Sequence, residues 1–292
     1  MLPPLLKAMR PKQWAKNVFV FAGVFFDGKV LILSKLVSSV AAFVIFCLVS
    51  SAIYLINDLA DIERDRQHPI KRSRPLASGT LSPLAAKIAA AIMLGACLPA
   101  AFVINAAFGG IVTAYAAVMV LYSFVLKHIV IIDVMTIAAG FVLRVFGGTT
   151  VVQVTRFSPW LYVCTTLGAL FIAIGKRRHE LLLLSNDASQ HRSILQEYSI
   201  EFLDHMIAMV TSGILIAYSF YTFSAPNVPA NHSMMLTIPF VIYGVFRYLY
   251  LVHVKHMGGT PEEIALGDRP FLGTLVLWAL ASGIIIYADL ML

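Results

Sequence analysis

The amino-acid sequence predicts an all-α, polytopic membrane protein with about nine transmembrane helices in one bundle and a cytoplasmic N-terminus. Of its 292 residues, 59% are hydrophobic and 13% are charged, whereas soluble domains are roughly 45–50% apolar and about 25% charged. The apolar residues form segments of about 20 residues, the length at which a helix crosses a bilayer with its backbone groups satisfied internally. Lys and Arg residues cluster between alternate segments, as expected of cytoplasmic loops.

Nine apolar segments account for most of the chain. The first is the weakest because Asp27 and Gly28 interrupt it, so we expect it to tilt or to lie partly in the membrane interface. The other eight are long enough to span a bilayer. Most connections between them are short, which favours a single intramembrane domain over residues 1–292. The segments are 17–30, 36–57, 83–105, 108–126, 129–151, 159–175, 201–223, 234–253 and 270–291.

The distribution of cations sets the expected orientation. With the N-terminus in the cytoplasm, 17 of the 22 Lys and Arg residues fall on the cytoplasmic side, and two, Arg144 and Arg247, lie within segments. The same assignment places the longest polar connections on that side, and connections held by a rigid scaffold often carry function. We therefore expect a functional site on the cytoplasmic face of a bacterial-type inner (plasma) membrane. The connections are 58–82, 176–200 and 254–269.

A group of carboxylates ends the second segment. Asp58 and Asp61 are three residues apart, and Asp61 lies four residues from both Asn57 and Asp65, so on a helix all four project from one face over two turns. Clustered carboxylates at the C-terminal end of a helix repel one another and need a cation. Oxygen ligands at this density suit Mg²⁺, which is usually shared with substrate phosphates. We predict these four residues as Mg²⁺ ligands, and the three aspartates as catalytic.

A basic run follows the carboxylates. Lys71, Arg72 and Arg74 lie between two prolines, which gives an order of metal ligands first and phosphate-binding groups second. A site for Mg²⁺ and diphosphate requires both. Two alternatives remain open: a solvated loop in which Arg64 and Arg66 pair with the aspartates, and cations that only anchor the chain on the cytoplasmic side.

The spacing Asn57-Asp58-x-x-Asp61-x-x-x-Asp65 resembles the first signature of the UbiA superfamily of intramembrane prenyltransferases. The helix number and the cytoplasmic site are similar to that family, and the resemblance covers the whole chain. Five pieces in order resemble its decaprenyl-phosphate phosphoribosyltransferase branch more closely. They are Arg10-Pro11-Lys12-Gln13-Trp14-Ala15-Lys16-Asn17; Asp65-Arg66-x-His68-Pro69-x-Lys71-Arg72-x-Arg74-Pro75; Tyr122-Ser123-x-x-Leu126-Lys127-His128 with Asp133 and Arg144; Gly175-Lys176-Arg177-x-x-Glu180-Leu181; and Pro261-Glu262-Glu263-Ile264-Ala265-Leu266-x-Asp268-Arg269.

This resemblance implies a Mg²⁺-dependent enzyme that transfers 5-phosphoribose from 5-phosphoribosyl-1-diphosphate (PRPP) to a polyprenyl (decaprenyl) phosphate and releases diphosphate. Ordinary members of the superfamily carry a second Asp-x-x-x-Asp motif after the sixth span. Here that connection reads Lys176-Arg177-Arg178-His179-Glu180. The exchange of carboxylates for cations disfavours prenyl transfer to an aromatic acceptor and suits two substrates that are rich in phosphate.

The predicted substrate-binding residues combine the basic run with the other motif positions. Arg144 is included because a charge deep in a span is costly, and is by default functional or paired inside the bundle. Lys176 and Arg177 are candidates for the 5-phosphate or the lipid phosphate, with anchoring to the cytoplasmic side as the alternative. The full set is Lys16, Asn17, Lys71, Arg72, Arg74, Tyr122, Lys127, Asp133, Arg144, Lys176, Arg177 and Glu180.

Two other functions compete with this prediction. One is a conventional prenyltransferase that acts on an aromatic acceptor. The other is a multispan transporter, which would need charges deep in several spans or paired broken helices, whereas only Arg144 and Arg247 lie at depth. The expected partners are PRPP, a polyprenyl phosphate and membrane lipids, and we expect no nucleic acid.

Overall fold

The computed structural model describes residues 3–69, 71–154, 158–184, 193–255, 257, 264 and 267–291, and these contain no β-strand. Short 3₁₀ helices join several of the α-helices; the longest, Pro11–Phe21, is called the N-terminal 3₁₀ helix. The α-helices are α1 (Pro4–Ala8), α2 (Ala22–Phe26), α3 (Leu33–Ala60), α4 (Ile62–Gln67), α5 (Pro83–Ile104), α6 (Ala106–Phe124), α7 (Ile132–Val152), α8 (Pro159–Leu184), α9 (Ile200–Ser224), α10 (Ile238–His253) and α11 (Arg269–Met291).

Eight helices in the described ranges are long and apolar enough to cross a membrane. Each overlaps one of the eight predicted segments from 36–57 to 270–291, so the prediction of an all-α integral membrane protein is confirmed. The first predicted segment, 17–30, differs. It begins within the N-terminal 3₁₀ helix, continues as α2 and ends in a turn where Gly28 has a φ of +66°. Left-handed backbone of this kind is accessible to glycine at little cost, so the chain reverses there.

The predicted connection 176–200 is wrong at its start, because α8 continues to Leu184. Lys176, Arg177 and Glu180 therefore lie on a helix. Lys, Arg, Glu and Leu all favour helix, and an ion pair between Arg177 and Glu180, one turn apart, adds to that preference. The helix thus extends beyond its apolar part, so the first charged residues do not mark its end.

The chain divides into two compact units. The first comprises Met1–Val24 and Lys29–Val154, and the second comprises Phe25–Gly28 and Thr155–Leu292. A single domain over 1–292 stays a prediction.

The core of the first unit is built around α3. Phe46 of α3 is fully buried and packs edge to face against Phe108 and Tyr115 of α6, with ring centroids 6.0 and 5.3 Å away. The helices that cover α3 begin at side-chain caps, because Ser82 before α5 and Asn105 before α6 accept backbone N–H groups of the first turn. This packing holds the carboxylate-bearing end of α3 in a defined place.

Gly148 of α7 allows the N-terminal 3₁₀ helix to approach closely. A Cβ atom at this position would lie 1.9 Å from the carbonyl oxygen of Val20, a distance that no side chain could tolerate. The two backbones are therefore in contact. Their contact keeps the N-terminal 3₁₀ helix beside α7, and with it the polar residues that the helix carries.

The second unit contains its own buried polar contacts. Tyr218 of α9 shares a 2.6 Å hydrogen bond with Thr237, and the indole N–H of Trp278 on α11 donates to the same hydroxyl at 2.6 Å. Trp160 of α8 stacks on Phe220 of α9, with ring centroids 4.8 Å apart. The two hydrogen bonds satisfy polar atoms that the surrounding apolar side chains cannot.

We expect Gly148→Ala to destabilise the protein by about 1–3 kcal/mol, the usual cost of forcing extra atoms into a packed interface. The methyl group would push the N-terminal 3₁₀ helix away from α7. Thermal unfolding of the purified protein in detergent measures the effect as a lower melting temperature.

Gly95→Ala is the matched control for this change. It is also an interior helical glycine, but its added Cβ would meet no heavy atom within 4 Å. We expect Gly95→Ala to be neutral or to stabilise the helix slightly. Equal melting temperatures for the two variants would contradict the close approach at Gly148.

Candidate active site

The carboxylate of Asp58 lies at the end of α3 and is 2% exposed. Its Oδ1 atom accepts hydrogen bonds from two guanidinium groups: Nη2 of Arg10, and Nη1 of Arg74 at 3.2 Å. A buried carboxylate is stable as an anion only when cations and hydrogen bonds replace its hydration. Asp58 has both.

Asp65 of α4 shares the Arg74 guanidinium with Asp58. Nη1 of Arg74 lies 2.6 Å from Oδ2 of Asp65, so one nitrogen joins two carboxylates. The backbone stays on a helical path through this region, because the N–H of Asp61 donates to Asn57 at 3.0 Å and the N–H of Asp65 donates to Asp61 at 2.8 Å. Asp58 and Asp65 thus share one cation, Arg74.

Asp61 has a different cation. Nζ of Lys127 lies 2.9 and 2.8 Å from its two carboxylate oxygens, and the Lys127 side chain is 5% exposed. Lys127 belongs to the 3₁₀ helix Leu126–His128 between α6 and α7. The exposed Arg64 lies 3.9 Å from Asp61, at the limit of an ion pair. The structure thus brings Lys127 to the carboxylates, as the sequence predicted for a site residue.

A cavity of about 490 Å³ opens beside the Asp61–Lys127 pair. Its wall combines charged and polar side chains, which include this pair, Ser123 and the exposed residues Glu63, Arg64 and His128, with apolar ones such as Leu59 and Phe124. Such a lining suits a ligand that carries charge at one end and hydrocarbon at the other.

Cations occupy the positions around the carboxylates where the sequence analysis placed Mg²⁺. In the described ranges, no three His, Cys, Asp or Glu side chains form a group arranged to hold a metal ion. Asp58 and Asp65 face Arg74, whereas Asp61 faces Lys127. The site of Asn57, Asp58, Asp61 and Asp65 together around Mg²⁺ stays a prediction.

Arg10 and Ile131 have unusual backbone conformations. Arg10 has a φ of 55°, and Ile131 has a φ of 69° with the N–H of Ile132 donating to Val130 at 2.8 Å. A β-branched residue rarely adopts such a turn, and strain of this kind concentrates at functional sites. Asp133, which is fully buried, follows in the first turn of α7, where the helix dipole favours an anion.

Asn17 and Arg144 form a buried polar cluster. The guanidinium of Arg144 donates to Oδ1 of Asn17 at 2.6 Å, to the hydroxyl of Tyr115 at 2.7 Å and to the carbonyl of Gly140 at 2.8 Å. Asn17 donates in turn to Oγ of Ser50 at 3.3 Å. These contacts join the N-terminal 3₁₀ helix to α3, α6 and α7.

The cluster lies deeper along α3 than the carboxylates. Ser50 precedes Asp58 by eight residues, which corresponds to a rise of about 12 Å. Asn17 and Arg144, both predicted as substrate-binding residues, direct their polar atoms to protein partners. This arrangement favours the alternative that Arg144 is paired inside the bundle.

The basic run and the other predicted residues of the first unit differ in their contacts and in their exposure. Of the basic run, Arg74 joins the carboxylates, Arg72 is exposed, and the backbone N–H of Lys71 donates to Nδ1 of His68 at 3.3 Å. Lys16 donates to the side chain of Gln13. Tyr122 is half-buried on α6.

In the second unit, the cations of α8 pair with neighbouring carboxylates. Arg177 is 2% exposed and lies 2.6 Å from Glu180, while Lys176 beside it is half-buried. Arg178 pairs with Asp204 of α9 at 2.6 Å, which agrees with a structural role for this residue.

A third ion pair of the second unit links α10 to Asp268, directly before α11. The guanidinium of Arg247 lies 3.1 and 2.7 Å from the oxygens of Asp268. Its hydrogen bonds, with one from the backbone N–H of Phe271, lower the pKa of Asp268 below its ordinary value. Glu262 and Glu263 of the last motif lie outside the described residues.

The set of predicted site residues omitted Arg10, although Arg10 begins the first of the five motif pieces. Its charge alone is typical of any cytoplasmic N-terminal segment. Its contact with Asp58 bridges 48 residues of sequence, so only the packing of the N-terminal 3₁₀ helix on α3 reveals it.

Comparison with known proteins agrees with this architecture. The model of the UbiA prenyltransferase family matches residues 17–258. A solved structure of a UbiA homologue from Archaeoglobus fulgidus, bound to GPP and Mg²⁺, is similar with a TM-score of 0.75 and 18% identity over 98% of this chain and 99% of that one. At this identity the likeness concerns the fold.

Several relatives are similar along nearly their whole length. A decaprenyl-phosphate phosphoribosyltransferase of Mycolicibacterium smegmatis is 33% identical over 97% of this chain and 92% of its own. Proteins of the same name are 32% identical in Corynebacterium glutamicum, over 97% of this chain and 86% of that protein, and 31% identical in Mycobacterium tuberculosis, over 96% and 93%.

We expect Arg144→Met to lower the stability of the protein by about 3–5 kcal/mol, since Oδ1 of Asn17 and the hydroxyl of Tyr115 would lose the guanidinium that donates to them in a buried place. Thermal unfolding in detergent measures the loss. Asn17→Ala should cost less, because Arg144 retains its two other acceptors.

A double variant tests whether Asn17 and Arg144 act as one unit. If they do, Arg144→Met with Asn17→Ala should be hardly less stable than Arg144→Met alone, because the effects of interacting residues do not add. Full additivity of the two losses would show that the residues act independently.

Proposed function

The chain belongs to the UbiA prenyltransferase family, and from this membership we propose that it transfers 5-phosphoribose from PRPP to a polyprenyl phosphate. The products are diphosphate and polyprenylphosphoryl-5-phosphoribose. Within the family, the relatives at 31–33% identity support this reaction over prenyl transfer, because all three are named decaprenyl-phosphate phosphoribosyltransferase. We propose decaprenyl phosphate as the acceptor, because these relatives are named for it.

The structural observation that carries the proposal is the alternation of anions and cations at the end of α3. Three carboxylates, Asp58, Asp61 and Asp65, lie beside Arg74 and Lys127. Carboxylates suit a divalent metal and the cations suit phosphate oxygens, so the two sets together suit a metal diphosphate.

The residues at this site fit Mg²⁺. Oxygens of Asp58 and Asp65 already converge on a single positively charged nitrogen of Arg74, at 3.2 and 2.6 Å, so a compact cation is compatible with their placement. We propose that Asp58 and Asp61 are the principal ligands and that Asn57 and Asp65 bind directly or through water. Mg²⁺ held there would neutralise charge on the departing diphosphate.

The protein groups supply the rest of the proposed chemistry. The acceptor phosphate is already an anion at neutral pH, so it attacks C1 of the ribose without a general base. As the bond from C1 to diphosphate breaks, Arg74 and Lys127 stabilise the negative charge that builds up on the leaving group. Neighbouring carboxylates stabilise the positive charge on the ribose. Attack from the opposite side inverts C1 from α to β.

The remaining predicted residues complete the proposal. Lys71 and Arg72 are proposed to help bind diphosphate, and Lys176 and Arg177 to bind the 5-phosphate or the lipid phosphate. The other proposed substrate contacts are Lys16, Tyr122, Asp133 and Glu180, whereas Asn17 and Arg144, also predicted to bind substrate, are proposed to position the N-terminal 3₁₀ helix through their buried cluster. We place the site on the cytoplasmic face of the inner membrane, because PRPP is water-soluble and the cations of the sequence favour that side.

A direct transfer assay tests the proposed reaction. Purified protein is incubated with radiolabelled PRPP, a polyprenyl phosphate and Mg²⁺, and label should move into the organic phase. Asp61→Asn should lower this turnover by on the order of a hundredfold or more, because it weakens both the metal site and the charge balance around the leaving group.

Glu63→Gln is the matched control. Glu63 lies two residues beyond Asp61, its side chain is 78% exposed, and it pairs with Arg66. The same loss of a carboxylate there should leave turnover within about twofold, since exposed ion pairs contribute little. Absence of labelled lipid over a range of chain lengths, with prenyl transfer from a prenyl diphosphate, would point to the conventional prenyltransferase.

The proposed orientation predicts which end of α3 faces the cytoplasm. Arg64, whose side chain is 74% exposed, follows one end, and Ser34, also exposed, lies at the other. The 28 residues of α3 are about 42 Å long, enough to place these positions on opposite sides of a bilayer. A membrane-impermeant maleimide should label Arg64→Cys in inside-out vesicles and Ser34→Cys in right-side-out vesicles.

The unmodified protein sets the background for this experiment, because Cys47 and Cys97 are buried and Cys164 is partly buried. The opposite labelling pattern would contradict the cytoplasmic placement of the site.

A further inference from the structure

We propose that Arg10 is a phosphate-binding residue of this site, held on Asp58 until a phosphate group and a divalent metal ion arrive together. In the structure Arg10 pairs with Asp58. On this proposal its guanidinium passes from the carboxylate to a phosphate when the metal takes the carboxylate. The identity of the phosphate rests on the proposed function. The exchange itself is inferred from the ion pairs alone.

The placement of Arg10 suits such an exchange. Its side chain is 25% exposed, whereas its partner Asp58 is 2% exposed, so the guanidinium lies between the buried carboxylate and the outside. The ring of Tyr54 lies 4.8 Å from the guanidinium carbon and supports it from one face. A planar guanidinium offers several N–H groups in a geometry that matches phosphate oxygens.

The backbone at Arg10 holds the side chain in this place. Arg10 has a φ of 55° and a ψ of 62° and directly precedes Pro11, between α1 and the N-terminal 3₁₀ helix. Left-handed backbone is unfavourable for a residue with a side chain, so the surroundings of Arg10 must stabilise it. Contacts on both sides do so, since Trp14 donates to Ser51 at 3.0 Å and Ser51 donates to the carbonyl of Met9 at 3.1 Å.

Charge balance explains why metal and phosphate should bind together. The three carboxylates Asp58, Asp61 and Asp65 face three close cations, Arg10, Arg74 and Lys127. Adding a divalent ion to this balanced group would leave excess positive charge in a largely buried place, which is costly. A phosphate anion removes that excess and offers the displaced cations a new partner.

Two consequences follow from this exchange. A divalent metal alone should bind weakly, because it competes with guanidinium groups for the carboxylates. Diphosphate should tighten metal binding, and the metal must tighten diphosphate binding by the same factor, since coupling between two sites is reciprocal.

The test measures binding of Mn²⁺ to the full-length protein in detergent by the loss of the free-ion signal in electron paramagnetic resonance. Titrations are run without additive, with inorganic diphosphate and with a polyprenyl phosphate, with allowance for Mn²⁺ complexes in free solution. In the unmodified protein, one of the two phosphates should tighten Mn²⁺ binding at least about fivefold, the low end of usual coupling between linked sites.

Arg10→Met should have two opposite effects. Without phosphate it should tighten Mn²⁺ binding, because a competing cation is lost from Asp58. With phosphate it should reduce the coupling by about threefold or more, because one phosphate ligand is lost. Tighter binding without phosphate is the effect that a merely structural role of Arg10 would not produce.

Lys12→Met is the matched control, since it removes the same charge two residues away from an exposed position. Arg10→Lys provides a second variant if Arg10→Met does not fold. Lysine keeps a positive charge beside Asp58 but lacks the planar pair of N–H groups. Mn²⁺ alone should therefore bind as weakly as in the unmodified protein, while the coupling between phosphate and Mn²⁺ binding should fall.

Each outcome decides the inference. An effect of Arg10 confined to diphosphate assigns Arg10 to the phosphoribosyl donor, and an effect confined to polyprenyl phosphate assigns it to the acceptor. Arg10→Met that behaves like Lys12→Met, or that binds Mn²⁺ more weakly at an unchanged melting temperature, overturns the inference. Because no transfer is measured, failure of the phosphoribosyl reaction and failure of the exchange remain distinguishable.

Discussion

The burial of Asp58 is the constraint on which the arrangement of the first unit depends. An anion that is 2% exposed at the end of an apolar helix needs cations within hydrogen-bond distance. Arg10 and Arg74 meet that need, and each belongs to a segment that must fold back onto α3 to reach it. The N-terminal 3₁₀ helix and the connection after α4 are therefore held at the same place as the proposed catalytic groups, so stability and function draw on the same ion pairs.

A second buried charge, that of Arg144, helps to hold the N-terminal 3₁₀ helix in place. Arg144 of α7 has hydrogen-bond partners on two other elements, Asn17 of the N-terminal 3₁₀ helix and Tyr115 of α6. A guanidinium deep in a membrane protein is tolerated when protein groups replace its hydration. The cluster around Arg144, together with the close approach at Gly148, thus fixes the helix that carries Arg10. The deeper polar cluster positions the N-terminal 3₁₀ helix, while the carboxylates nearer the end of α3 are the proposed ligand-binding groups.

Much of the fold could be predicted because membrane-spanning helices are encoded locally. Eight segments of sufficient length and hydropathy correspond to eight helices in the part of the chain that the structure describes, and Asp27 and Gly28 marked the place where the weaker first segment turns. The predicted start of the connection 176–200 was wrong, because α8 continues past Gly175 although its residues become charged there. Apolar content reports the solvent around a helix, and charged residues such as Lys176 and Glu180 are equally good helix formers.

The sequence by itself determined that this is a membrane protein, where its helices lie, and that Asp58, Asp61 and Asp65 cluster at the end of one of them. Composition and helical spacing depend only on residues that are close in sequence, so they can be read without the structure. Only the tertiary structure decided which cation meets which carboxylate. Lys127 reaches Asp61 across 66 residues of sequence and Arg10 reaches Asp58 across 48, while Arg72, close to both aspartates in sequence, is exposed. Pairing between distant residues depends on how the helices pack, and no local pattern records that packing.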